Sequence, residues 1–183
     1  VIICIRGPFP ALKGEMKMFS YVTDAMDFAH KFDERPQPAP DYEKHYHDFF
    51  EILYFVSGDA NFTVEDRIYQ LRPGDIVFIQ PGEHHYVTFN PDTSYERYVL
   101  KFRESELPKY MFRRIQSRAT FYTATEEMNV LFAGLDKLYE RFSGADLDLM
   151  FTCRLLELMT LLCLEPETNK DAVHDSTITQ IIN

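Results

Sequence analysis

Two histidines and a glutamate stand close together in His45-Tyr46-His47-Asp48-Phe49-Phe50-Glu51. Side chains on an extended strand alternate between its faces, so positions 45, 47 and 51 project from the same one. Two imidazoles and a carboxylate on one wall suit a divalent transition metal such as Zn, Ni, Fe or Mn. Ca and Mg take oxygen ligands instead. A fourth group must come from another strand. His85, just after the Pro81-Gly82 turn, is the candidate, and its neighbour His84 points the other way. Without a metal the same groups line a pocket, hydrogen-bond a polar ligand or pin the wall. Phe49 and Phe55 share the parity of Glu51 and would pack against the apolar side of such a ligand. The candidate binding set is therefore His45, His47, Phe49, Glu51, Phe55 and His85, and the candidate metal set is His45, His47, Glu51 and His85.

Short strands must position these groups. Residues 16–22 and 29–32 read as strands, and the proline-rich 35–40 as an irregular loop, because proline cannot donate to a ladder. From His45 to Phe102 short apolar or alternating runs are punctuated by Ser57-Gly58, Glu65-Asp66, Arg72-Pro73-Gly74-Asp75 and Gln80-Pro81-Gly82-Glu83. Such spacing indicates a sandwich or barrel.

The period then changes. Thr123 and Glu126 have the spacing of a capping box. Met128, Leu131, Phe132, Leu135, Leu138, Tyr139 and Phe142 follow at three- and four-residue intervals, one apolar stripe on a helix. Gly144 ends that helix, and Asp146 or Asp148 opens a second that runs to about Leu164 before Pro166. The second helix is apolar on more than one face, which calls for cover on two sides. Leu147, Met150, Phe151, Leu155, Leu158 and Leu162 are the expected seam of a homodimer. Residues 165–175 read as a polar linker. Ser176 or Thr177 caps a third helix carrying Ile178, Ile181 and Ile182, whose apolar stripe implies that a further domain follows.

Composition narrows the function. The net charge of −10 disfavours direct binding to nucleic acid. The basic cluster Arg113, Arg114 and Arg118 is small and reads as a solvated helix face. No apolar run approaches the ~20 residues of a membrane span. Cys4, Cys153 and Cys163 form no CxxC pair, and an odd count argues against a disulfide framework, which fits a cytoplasmic protein. Cys153 and Cys163 read as core thiols, His30 and His174 as surface residues. The 16 Phe and 11 Tyr supply an interior able to cradle a small organic molecule.

The spacing of His45, His47, Glu51 and Gly58, followed by Gly74, Gly82 and His85, resembles the two motifs of the cupin superfamily. Ala39 stands where the first motif opens with Gly, Gln80 where the second has Pro, and Phe89 where it closes with Asn. The runs from His45 to Ile52 and from Leu71 to His85 are similar to the N-terminal arm of AraC-type transcription regulators. That resemblance implies a mainly β fold, a cupin-like double-stranded β-helix (jelly-roll barrel) followed by two antiparallel α-helices. It implies a barrel with an N-terminal arm over residues 1–120 and dimerisation helices over 121–165. Residues 166–183 would be a linker and the start of a helix-turn-helix DNA-binding domain. It further implies a small effector, often a sugar, and contact with DNA only through that last domain. A metal-dependent cupin enzyme, a dioxygenase or sugar isomerase, is the alternative.

Overall fold

Alternation along one strand explains the layering of the molecule. In β8 (Tyr95–Phe102), Tyr98, Leu100 and Phe102 face a helical layer, while Tyr95, Arg97, Val99 and Lys101 face the barrel interior. The structure, a computed structural model, describes residues 15–115 and 120–165. The other strands are β1 (Glu15–Val22), β2 (Met26–Asp33), β3 (Phe50–Ser57), β4 (Ala60–Val64), β5 (Arg67–Gln70), β6 (Asp75–Ile79), β7 (His85–Phe89) and β9 (Phe121–Thr123). The helices are α1 (Lys109–Ile115), α2 (Glu126–Arg141) and α3 (Gly144–Leu164). A six-stranded antiparallel sheet has the order β1-β2-β8-β3-β6-β9, and a three-stranded sheet the order β5-β4-β7. The fold is mainly β, a cupin-like sandwich with two C-terminal helices, as the sequence indicated.

The six-stranded sheet is covered on both faces. Leu53, Phe55, Val77, Ile79 and Tyr95 meet Phe62, Val64 and Val87 of the smaller sheet. On the other face Phe28, Phe50, Ile52, Phe78, Leu100 and Phe102 pack with Phe132, Leu135, Phe151, Leu155 and Leu158 of the helices. This is why β6 reads DIVFI, with every residue buried. Polar tethers cross the same layer. Tyr21 donates to Asp148 at 2.6 Å and Tyr54 to Asn129 at 2.9 Å.

Several expectations change here. Leu147, Phe151, Leu155, Leu158 and Leu162 are buried within the chain, and Met150 packs half-buried beside them. The sheet and α2 cover the face that the sequence assigned to a dimer seam. His30 is not a surface residue: it is 6% exposed, stacks on Tyr98, and lies 2.8 Å from Asp136 and 3.0 Å from Glu96. Cys163 is buried, but Cys153 is exposed on the outer face of α3. The α2 cap is Thr125, whose hydroxyl accepts from the Met128 N–H at 3.4 Å. Thr123 lies in β9, which pairs with β6 and carries the barrel past residue 120. α3 begins at Gly144, ahead of either aspartate. Arg113 and Arg114 are exposed on the last turn of helix α1, the solvated helix face that the sequence suggested. Cys4, Arg118, His174 and the linker with its third helix lie outside the described residues.

Gly58 makes the β3–β4 connection with φ of +131°, and a Cβ there would collide with the Ser94 carbonyl oxygen. Left-handed backbone and backbone collision act together, so Gly58→Ala should lower stability by about 2 kcal/mol in urea titration. An unchanged midpoint would show that the turn relaxes freely.

Candidate functional site

The sandwich encloses a cavity of about 390 Å³ lined by His45, His47, Phe49, Glu51 and His85 together with groups from β2, β4, β7 and β8. The sequence assumed an unbroken strand from 45 to 51. Instead the chain bends at Asp48-Phe49 and β3 starts at Phe50. Backbone pairing does the convergence. His45 N–H donates to His85 O at 3.1 Å, and His85 N–H to His45 O at 2.9 Å. The Gly82 N–H bonds His47 O at 2.9 Å, which seats the Pro81-Gly82 turn beside the first two histidines.

The imidazoles of His45, His47 and His85 each place a nitrogen within 4.8 Å of the others. Their other nitrogens are held alike. Nδ1 faces a backbone carbonyl in every case: Glu43 at 2.7 Å for His45, Phe49 at 3.1 Å for His47 and Glu83 at 3.0 Å for His85. A carbonyl only accepts, so a proton on Nδ1 satisfies each of these contacts; at His47 the other nitrogen, Nε2, meets the Glu51 carboxylate at 2.8 Å. The carbonyl contacts are the outer support that metal-binding histidines use. His85 is 2% exposed, and its Nε2 has no hydrogen-bond partner among the described residues. An orphaned buried acceptor is costly unless something binds it. With nitrogens of His45 and His47 within 4.8 Å, it fits a borderline divalent ion, Zn, Ni, Fe or Mn.

Glu51 stands beside this group. Its Oε2 lies 2.8 Å from His47 Nε2, 3.5 Å from Lys101 Nζ and 3.9 Å from His85 Nε2. Burial alone would raise its carboxyl. Lys101, the His47 hydrogen bond and His85 outweigh that and hold it well below the usual carboxylate range. His85 moves the other way: burial lowers it to about 4, opposed by Glu51 and reinforced by His45 and His47. At neutral pH His85 is therefore uncharged and able to ligate.

The aromatic residues divide. Phe49 lines the cavity, with the Arg103 guanidinium 4.3 Å over its ring. Phe55 shares the face of Glu51 but does not border the cavity; it is packed into the core against Tyr95. His84 does not line the cavity; its backbone N–H donates to Glu65 at 2.7 Å and its Nδ1 lies 3.6 Å from the same carboxylate.

Sequence reasoning missed the charged wall. Arg97 is 3% exposed and paired with Asp33. Its Nη2 donates to the Tyr42 hydroxyl at 2.8 Å, and its guanidinium lies 4.5 Å over Tyr95. Lys31 and Lys101 line the same cavity. The signal was the alternation of Tyr95, Arg97, Val99 and Lys101, which reads equally well as a solvated face.

A family model described as the AraC-like ligand binding domain matches residues 33–159. No curated protein matches the chain. AerE from Microcystis aeruginosa is 19% identical over 64% of this chain and 51% of its own, with a TM-score of 0.48. An RmlC-like cupin family protein from Methanocaldococcus jannaschii is 19% identical over 56% of this chain and 93% of its own, at 0.41. The DMSP lyase DddQ from Ruegeria pomeroyi is 26% identical over 47% of this chain and 42% of its own, at 0.37.

Proposed function

The chain belongs to the AraC-like ligand binding domain family, and on that premise we propose that it is the effector-sensing and dimerisation domain of a cytoplasmic AraC-type transcription regulator. The observation that carries this reading is the enclosed cavity with three imidazoles that each place a nitrogen within 4.8 Å of the others. A small effector binds there and shifts the chain between two states by its differential affinity for them. His45, His47 and His85 would hold a divalent transition metal, which would offer open positions to an effector's oxygens. Glu51 orients His47, and Lys101 holds Glu51. DNA is contacted through a separate domain, since this one carries net charge −10.

Homodimerisation belongs to the same proposal, with a different seam. Leu149, Cys153, half-buried Leu156, Thr160 and Leu164 recur at three- and four-residue spacing on the outer face of α3. An apolar stripe of that kind pairs with a second copy.

The three-imidazole set also favours a second reading, a metal-dependent cupin enzyme of the dioxygenase or sugar isomerase type. Elemental analysis of untagged protein tests the shared part. Near-stoichiometric transition metal is expected, with affinity at least ~100-fold weaker in His85→Ala, beyond the roughly 10–100-fold cost of altering a supporting group. A stable metal-free protein whose ligand binding survives His47→Ala would remove both readings. Turnover of a bound ligand by the metal-loaded chain would favour the enzyme.

A further inference from the structure

The charges that line the cavity are matched from within the chain. Arg97 is paired with Asp33, and it donates from Nη1 to the Tyr95 carbonyl and from Nη2 to the Tyr42 hydroxyl. Lys101 lies 3.5 Å from Glu51, and Arg103 at the mouth lies 3.3 Å from Asp48. Lys31 is not without a partner either. The Tyr95 hydroxyl is different. Tyr95 is 1% exposed and lines the cavity, yet its hydroxyl makes no hydrogen bond among the described residues. Its ring is held in place, with the Arg97 guanidinium 4.5 Å over it and the rings of Phe89, Phe55 and Tyr42 at centroid distances of 6.2, 6.0 and 6.2 Å. The hydroxyl therefore cannot swing to a partner elsewhere. Burial, opposed by Arg97 and helped by Glu51 and Asp33, pushes the phenol up to about 12, so at neutral pH it is an uncharged donor. Further along the same inner face of β8 comes Val99, opposite Leu53 of β3, and Phe62 pairs with Val87 across β4 and β7. All four line the cavity and form an apolar belt, beyond which Lys101 stands beside the histidines.

We propose that this cavity binds a small neutral carbonyl compound with an apolar body, a ketone or an ester, whose oxygen accepts from the Tyr95 hydroxyl while its body lies on the belt. The inference rests on the effector reading above and names the ligand's class. A buried polar group without a partner destabilises a folded chain, so one kept at the wall of a cavity is a place for a ligand atom. A donor that keeps its proton calls for an acceptor, and a carbonyl oxygen supplies one without bringing a donor of its own. The matched charges set the rest. An anion would compete for cations that are already paired, and would leave a carboxylate such as Asp33 buried and unpartnered. A sugar fits the belt poorly. Its hydroxyls would leave water for Leu53, Val99, Phe62 and Val87, which offer no hydrogen bond in return. The volume of about 390 Å³ lies at the small end of ligand pockets, which run from roughly 300 Å³, so one ring with a short substituent suits it.

NMR titration of the 183-residue chain tests this with acetophenone and methyl benzoate, isotope-labelled at the carbonyl carbon, and with benzoate and arabinose for comparison. A carbonyl probe should bind at least ~10-fold more tightly than benzoate or arabinose. The tighter of the two probes tells ketone from ester. Its carbonyl resonance should move downfield on binding, the sign of an accepted hydrogen bond. Tyr95→Phe should abolish that shift and weaken binding roughly 5- to 10-fold, as the loss of one neutral hydrogen bond does. Because the hydroxyl bonds nothing else in the described chain, the urea midpoint of Tyr95→Phe should be no lower than the parent's. A carbonyl probe bound without the shift, or bound equally by Tyr95→Phe, would overturn the proposal. So would failure of both carbonyl probes to bind, or a lower urea midpoint, which would place the hydroxyl in the fold. Benzoate or arabinose bound more tightly than either carbonyl probe, with affinity lost in His47→Ala, would overturn the neutral carbonyl class and leave the effector reading standing.

Discussion

Leu155→Arg should abolish folding rather than split a dimer. Leu155 is 0% exposed and sits in the cluster that joins Phe28 and Phe102 of the sheet to Phe132, Phe151 and Leu158 of the helices. A guanidinium there loses its hydration and gains no partner among those side chains. Such a substitution costs more than about 4–5 kcal/mol, and a typical domain's whole stability is roughly 5–15 kcal/mol. The variant should lack a cooperative urea transition and sediment as aggregate. Leu149→Arg is the control, because Leu149 is 61% exposed on the outer stripe of α3. It should keep the circular dichroism and urea midpoint of the parent and change only the sedimentation equilibrium, from dimer to monomer. A folded, monomeric Leu155→Arg protein would return the seam to the buried face and refute the packing described here.

That contrast shows what the sequence could and could not convey. Periodicity made the stripe of α2 and the apolar character of α3 legible, because both depend only on local spacing. What covers α3 does not. The answer lay in Phe28, Phe50 and Phe102, residues far away in the chain whose strands could have faced either way. The same limit hid His30, which is polar by type but lies between Glu96 on β8 and Asp136 on α2. It hid Lys31, Arg97 and Lys101 too, since a strand that is buried on both faces can still carry charge on its inner one. Thr125 instead of Thr123 as the cap is a local miss. The chain remains in β9 until residue 123, held there by β6, so the helix starts two residues later than the capping-box spacing implied. The histidines were legible for a different reason. Their types and their distance from Pro81-Gly82 survive any bend in the chain, so the set emerged although the assumed continuous strand was wrong.

His85 should make the stability of the chelator-treated chain fall as pH drops from about 6.5 to about 4. Burial, reinforced by His45 and His47 and opposed by Glu51, holds the folded value at about 4. The unfolded chain has an ordinary imidazole near 6.5. Between those values the unfolded state binds a proton that the folded state does not, so stability rises with pH there and is lost on acidification. At about 1.4 kcal/mol per unit, the loss reaches roughly 3 kcal/mol by pH 4. Glu51 adds to this at lower pH, because its folded value lies well below the usual carboxylate range and its contribution goes as pH falls through that value. Urea titrations at pH 7, 6, 5 and 4.5 give the slope. His85→Gln should flatten it over that window, since the amide does not titrate and the remaining charges are unchanged. An equal slope in the variant would mean that another group carries the dependence. An ion on the three imidazoles would steepen the same curve, because it binds only unprotonated rings and stabilises the folded chain by mass action. Added zinc should therefore raise stability at pH 7 and lose that effect toward pH 5, and this difference too should vanish in His85→Gln.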